Sequence, residues 1–137
     1  GIELFERESV GKLKLLQHYL GSLKFECGGR VCLGVLPQGI FEQVGATVED
    51  TEGLVDYARS IQGVEIGVLI EERPGTIKAS LRAEHGSYRM DTIAAQFNGG
   101  GHASAAGLNC PDLLVNFYPR LVAALTRRLA EIDTAQS

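Results

Sequence analysis

The distribution of apolar residues predicts one α/β domain, a mixed sheet of about five strands flanked by helices. Three observations carry that prediction. Leucines and their neighbours recur at three- and four-residue steps near both ends of the chain: Leu13, Leu16, Leu20 and Leu23, then Leu114, Phe117, Leu121, Leu125, Leu129 and Ile132. Such spacing marks one face of an amphipathic helix. Between them, Val31, Leu33 and Val35, then Val64, Ile66, Val68 and Ile70, then Ile77, Ala79 and Leu81 alternate with the period of a strand. Finally, 137 residues suffice for one core and are too few for two ordinary domains, so residues 1–137 are expected to form a single unit.

The elements follow in order. A first helix is predicted from about Ser9 to Leu23, then a β-hairpin in which Lys24 to Cys27 and Arg30 to Leu36 flank a Gly28-Gly29 turn. Pro37-Gln38-Gly39 ends the hairpin, and a short irregular or helical stretch reaches Gly45. Asp50 or Thr51 is placed to cap a helix over about Glu52 to Ile61. Two strands around the Pro74-Gly75 turn come next. Their parity matters: if Ile77, Ala79 and Leu81 face the core, Lys78, Ser80 and Arg82 line up on the opposite face. A short helix from about Asp91 to Phe97 runs into the glycines at 99–101, and Ala105 to Cys110 reads as a further strand. The last helix is predicted from about Asp112, with Pro119 kinking it or marking its true start.

Composition narrows the function. Hydrophobic residues at 45% and charged residues at 22% exclude a disordered chain. A net charge of −4 excludes a strongly basic coat for long duplexes and leaves room only for a local anion site. Residues 31–58 hold five acids and no base, whereas seven bases stand against five acids from Arg73 onward, so phosphate chemistry belongs in the second half. Cys27, Cys32 and Cys110 are an odd, sparse set, which predicts free thiols and a reducing, cytoplasmic location. Cys27 and Cys32 have no second pair nearby to complete a zinc site. Thr92 to Pro111 lacks charge, but its glycines, asparagines, Gln96 and His102 rule out a membrane helix.

The most informative stretch is Asn98-Gly99-Gly100-Gly101-His102-Ala103-Ser104-Ala105-Ala106-Gly107. Consecutive glycines lose much conformational entropy on folding, so three of them need a reason. One is a glycine-rich phosphate-binding loop, in which successive N–H groups form a nest around an anionic oxygen and His102 adds a donor or a charge. The other is a flexible turn beside a surface histidine. No Lys-Ser or Lys-Thr follows as in a Walker loop, and the strand-to-helix order of a dinucleotide fingerprint is absent.

Read as Gly-Gly-Gly-His-x-x-Ala-x-Gly, from Gly99 to His102 with Ala105 and Gly107, the stretch resembles the signature of the DHH-associated substrate-binding domain, first type. This is the C-terminal lobe of DHH phosphoesterases and also occurs at the end of alanyl-tRNA synthetases. Asp50-Thr51-Glu52-Gly53-Leu54-Val55, Ile61-Gln62-Gly63-Val64-Glu65 and Ala79-Ser80-Leu81-Arg82 are similar, in order and spacing, to the nanoRNase branch, the oligoribonucleases and pAp phosphatases. The resemblance covers about residues 10–132. It implies that Gly99, Gly100, Gly101 and His102 hold a substrate phosphate and that Arg82 contacts it. A guanidinium suits phosphate oxygens better than an ammonium, which ranks Arg82 above Lys78. Lys78, Ser80, Asn98 and Ser104 are accessory candidates. Arg82 could instead be a solvated strand end paired with Glu84 or Glu71, and Asp50 and Glu52 read as ordinary acids at a helix start. Base stacking is expected from one of Phe41, Tyr57, Tyr88 or Phe97.

The three histidines, His18, His85 and His102, stand apart, and the chain has no Asp-His-His or His-x-Asp-x-Asp run. No catalytic residue and no metal ligand is therefore assigned. The resemblance implies that manganese belongs to an N-terminal catalytic lobe lying outside this chain, whose start at Gly1 suggests an excised C-terminal piece. Two functions remain. The first is recognition of a short single-stranded oligonucleotide, or of the nucleoside bisphosphate pAp, for a phosphoesterase; the fragment alone is expected to be inactive. The second is a non-catalytic RNA-binding or dimerising module like that of alanyl-tRNA synthetase. A homo-oligomer is compatible with either.

Overall fold

The computed structural model of the chain describes residues 8–136. Five helices, α1 (Val10–Gly21), α2 (Ile40–Val44), α3 (Leu54–Arg59), α4 (Met90–Ala95) and α5 (Leu114–Gln136), accompany six strands. These are β1 (Lys24–Glu26), β2 (Val31–Leu36), β3 (Ile66–Arg73), β4 (Thr76–Ala83), β5 (Gly99–Gly101) and β6 (Ala105–Pro111). They form one mixed sheet in the order β1-β2-β3-β4-β6-β5. β2 and β3 are parallel, joined by a crossover that contains α2 and α3, and every other neighbouring pair is antiparallel.

Burial along the strands shows which parts of the sheet are covered. β2 and β3 are buried on both faces. On one face Val31, Leu33, Ile66, Val68 and Ile70 join Ile77, Ala79, Leu81, Ala106 and Leu108 beneath α4 and α5. On the other, Cys32, Leu36 and Leu69 pack beneath α1, α2 and α3. The second helical layer is centred on β2 and β3, with α3 reaching only the near side of β4. β4 and β6 therefore alternate strictly, with one side chain buried and the next not, and their outer face is left open. Tyr19 anchors α1 to the sheet: its ring is fully buried and its hydroxyl donates to the Val68 carbonyl at 2.8 Å.

Two expectations change. The helix near residue 55 is shorter than predicted: α3 begins only after Gly53, whose φ of 81° reverses the chain, and a separate 3-10 turn at Val48–Thr51 precedes it. Asp50 does not cap α3. Its carboxylate accepts the Thr47 N–H at 2.8 Å and the Ser9 hydroxyl at 2.8 Å, tying the turn to the start of α1. These hydrogen bonds hold its pKa below the usual aspartate value. Of the two roles expected of Pro119, marking the start of the last helix is excluded, because α5 begins at Leu114 and carries Pro119 in its interior. The mixed sheet of about five strands flanked by helices is as predicted, with the three glycines supplying β5 as one of six.

Candidate functional site

The register places the candidate residues in rows across the open face. Arg82 is paired with Ala105, Ser80 with Gly107 and Lys78 with Asn109. Gly107 in turn is paired with Gly100 on the edge strand. Directly opposed residues share a face, so Ser80, Gly107 and Gly100 form a floor that is almost bare of side chain. Lys78 and Asn109 stand on one side of that floor and Arg82 on the other. His102 lies level with Arg82, because His102 and Ala105 exchange backbone hydrogen bonds of 2.8 and 3.2 Å across the β5–β6 turn. Two interstrand spacings separate Arg82 from His102, roughly 10 Å between backbones. Both side chains are long enough to meet over one phosphate.

The glycines do not form a nest. Gly99–Gly101 is an edge strand, and the His102 N–H is already spent on Ala105. Because His102–Ala105 is a hydrogen-bonded pair, alternation makes Gly100–Gly107 the next bonded pair and turns the N–H groups of Gly99 and Gly101 toward the outer edge. Successive N–H groups thus point opposite ways, and three of them cannot converge on one oxygen. The site offers instead a bare floor at Gly100 and Gly107, donors along its edge, and cations around it.

A Cβ on Gly99 would collide with the Gly107 carbonyl oxygen, and one on Gly101 would come within 2.7 Å of Ala106 Cα. A Cβ on Gly100 would meet nothing within 4 Å. Packing therefore requires two of the three glycines, and the third keeps the floor open. Asn98 enters the strand with a φ of 64° and donates from its side-chain amide to the Asn109 carbonyl at 3.2 Å, so its role is local. Ser104 is exposed in the turn, and its carbonyl accepts the Ala83 N–H.

Lys78 and Arg82 have no carboxylate within ion-pair distance among the described residues. Arg30, Arg73, Arg89, Arg120 and Arg128 all lie within ion-pair distance of carboxylates. Glu71 is taken by Arg73 at 2.7 Å, and Glu84 accepts from the Tyr88 hydroxyl, so neither pairs with Arg82. Arg82 uses one Nη1–H on the Leu81 carbonyl at 3.0 Å and keeps its other donors. Lys78 and Arg82 are half-buried, which limits their rotamers and keeps them beside the floor.

Sequence reasoning missed Arg59. Its backbone nitrogen lies where a Cβ on Gly67 would come within 2.6 Å, and Gly67 is the strand partner of Arg82. α3 therefore brings the backbone of Arg59 against the strand position paired with Arg82, and no carboxylate among the described residues lies within ion-pair distance of its side chain. The available signal was Gly67 itself, a lone glycine in an apolar strand that marks the close approach of another backbone. Of the four aromatic candidates, Tyr88 and Phe97 are buried and Phe97 packs edge-on against Phe117 at 5.3 Å, leaving Phe41 and Tyr57. All three cysteines are free. No helix among the described residues is long and apolar enough to cross a membrane. The described residues also bring together no group of three or more His, Cys, Asp or Glu, so manganese has no ligand set among them.

The bifunctional oligoribonuclease and PAP phosphatase NrnA of Thermus thermophilus is 31% identical over 117 residues, covering 85% of this chain and 34% of that protein. Among solved structures, an exopolyphosphatase-related protein from Bacteroides fragilis superposes with a TM-score of 0.80 at 27% identity, over 88% of this chain and 36% of that one. The C-Ala domain of alanyl-tRNA synthetase from Aquifex aeolicus has a TM-score of 0.52 at 17% identity, over 75% of this chain and 98% of its own length. That last likeness is one of fold. The chain thus spans about a third of the length of the first two proteins. Residues 28–131, which hold the whole floor and the cations around it, match the DHHA1 domain, and the chain belongs to that family.

Proposed function

We propose that this chain is the substrate-binding lobe of a DHH phosphoesterase, holding a phosphate of a short oligoribonucleotide or of pAp for a catalytic lobe outside these 137 residues. The observation that carries the reading is the bare Gly100–Gly107 floor flanked in register by Lys78 and Arg82, cations left without carboxylate partners within ion-pair distance among the described residues. A phosphate lying on that floor would meet the Arg82 guanidinium and the His102 imidazole, with Lys78 adding charge at the other end. The likeness to NrnA supports the choice of ligand class. Manganese, when bound in the catalytic lobe, would supply the activated water. This chain's own residues bind and orient, and no step passes through a metal here.

Calorimetric titration of the chain with pAp and with a 5′-phosphorylated dinucleotide tests the reading. Arg82→Ala should weaken binding by about 10- to 100-fold, the equivalent of a lost charge-assisted hydrogen-bond pair, and His102→Ala by less. Equal affinities for wild type and both variants would sink it. The RNA-binding or dimerising alternative is separated by the same ligands, because a module that recognises folded RNA has no reason to retain pAp.

A further inference from the structure

A second site lies at the far end of the same face. Arg73 sits at the end of β3, paired with Thr76. Its side chain reaches back to Glu71 at 2.7 Å, and Glu71 is the strand partner of Lys78, so Arg73 belongs to the open side of the sheet. The guanidinium lies over the Phe41 ring, 5.0 Å from its centroid. Around this pair is a cavity of about 610 Å³, bounded by Phe41, Arg73, Pro74 and three carboxylates, those of Glu42, Glu49 and Glu72. Phe41 is held because it packs on the cluster under α1 to α3, and Arg73 is held by a glutamate that is 1% exposed.

The acidic rim repels phosphate, whereas an aromatic ring stacked by a guanidinium offers a flat platform to an uncharged planar group. Carboxylates beside such a platform accept from exocyclic amines, as on adenine, cytosine or guanine. From Arg82 to Thr76 is six residues along β4, about 20 Å at the rise of a strand. That is beyond the span of one nucleotide. We propose that the Phe41–Arg73 pocket stacks the terminal base of an oligonucleotide whose other end has its phosphate at Arg82 and His102, so that it selects oligonucleotides over mononucleotides. The proposal rests on the phosphate reading above.

The test compares the affinities of the chain for pApApA and for pAp. In Phe41→Leu, which keeps apolar volume but loses the ring, the ratio of the two should fall about tenfold, within the range for removing a base–aromatic stack. An unaltered ratio, or an equal loss for both ligands, overturns the proposal, as does a fall produced by Tyr57→Leu instead. A second arm changes the ligand as well as the protein. One of two pApApA probes, abasic at its first or at its last nucleoside, should bind wild type about tenfold more weakly than pApApA and lose nothing further in Phe41→Leu. Additive losses overturn the pocket. If wild type binds neither pApApA nor pAp, the phosphate reading itself fails. If Arg82→Ala weakens both ligands while Phe41→Leu leaves their ratio alone, only the pocket fails.

Discussion

Gly99 and Gly100 are adjacent and identical, yet they lack a side chain for opposite reasons. At Gly99 the space is filled by β6, and an alanine would have to displace the Gly107 carbonyl. At Gly100 the space is empty, on the floor where a ligand would lie. Gly99→Ala should therefore destabilise the chain by about 1–3 kcal/mol, the usual range for overpacking, with ligand binding weakened only as a result. Gly100→Ala should leave the thermal midpoint within a degree or two, about the scale of a neutral surface substitution, and still weaken pAp binding. Differential scanning calorimetry beside titration separates the two. A Gly100→Ala chain that melts normally and binds normally would show that the floor is not the binding surface.

At the scale of elements, the C-terminal half of α5 is held to the strand entrances by one guanidinium. Arg30 bonds Glu65 at 2.7 and 3.0 Å and Asp133 at 2.8 and 3.0 Å, and Tyr88 donates to Glu65 at 2.6 Å. Hydrogen bonds from Arg30 hold both carboxyls below their ordinary values of 4.5 and 3.8. A carboxyl with a lowered folded pKa contributes stability that is present above its unfolded pKa and lost as pH falls through the folded one. Arg30→Gln should therefore lower the melting temperature by a few degrees at neutral pH, and the gap should close below about pH 4.5. A gap that stayed constant down to pH 3 would mean that the arginine acts through packing alone. This clamp was invisible in the sequence, since its members are separated by up to 103 positions. The strands were legible because Ile77, Ala79 and Leu81 announce both their period and the free face of Lys78, Ser80 and Arg82. β5 was not, because three glycines carry no alternation and only their pairing with β6 makes them a strand. The break at Gly53 was missed for a related reason: Asp50 has the position of a cap for α3, but its carboxylate serves Thr47 and Ser9, both earlier in the chain. The candidate site was half legible: parity gave the shared face of Lys78, Ser80 and Arg82, clustering singled out the glycines and the family resemblance chose Arg82, while the approach of Arg59 needed the crossing of α3 over β3.

For the molecule as a whole, a net charge of −4 and a cationic floor are compatible only if the attraction is local. That fixes the salt dependence. With Lys78 and Arg82 as the cations flanking the floor and His102 able to add one more contact, no more than about three phosphate contacts form, and log K should fall with log salt at a slope no steeper than about −2. A slope near −5 would require a larger surface, as for a general RNA binder. The same locality separates recognition from chemistry. The floor is bare backbone bordered by Arg82, Lys78 and His102, and none of these needs a divalent cation to hold phosphate. Binding of pAp by this chain should therefore be unchanged by EDTA, and the chain with added manganese should release no phosphate from pAp above the protein-free rate, read by an inorganic phosphate assay. EDTA-sensitive binding, or turnover by the chain alone, would place a metal on this lobe and overturn the division of labour. If both results hold, the proposed contacts at Arg82 and His102 form without a metal, and Arg82→Ala and His102→Ala should weaken pAp binding by the same factor with and without EDTA.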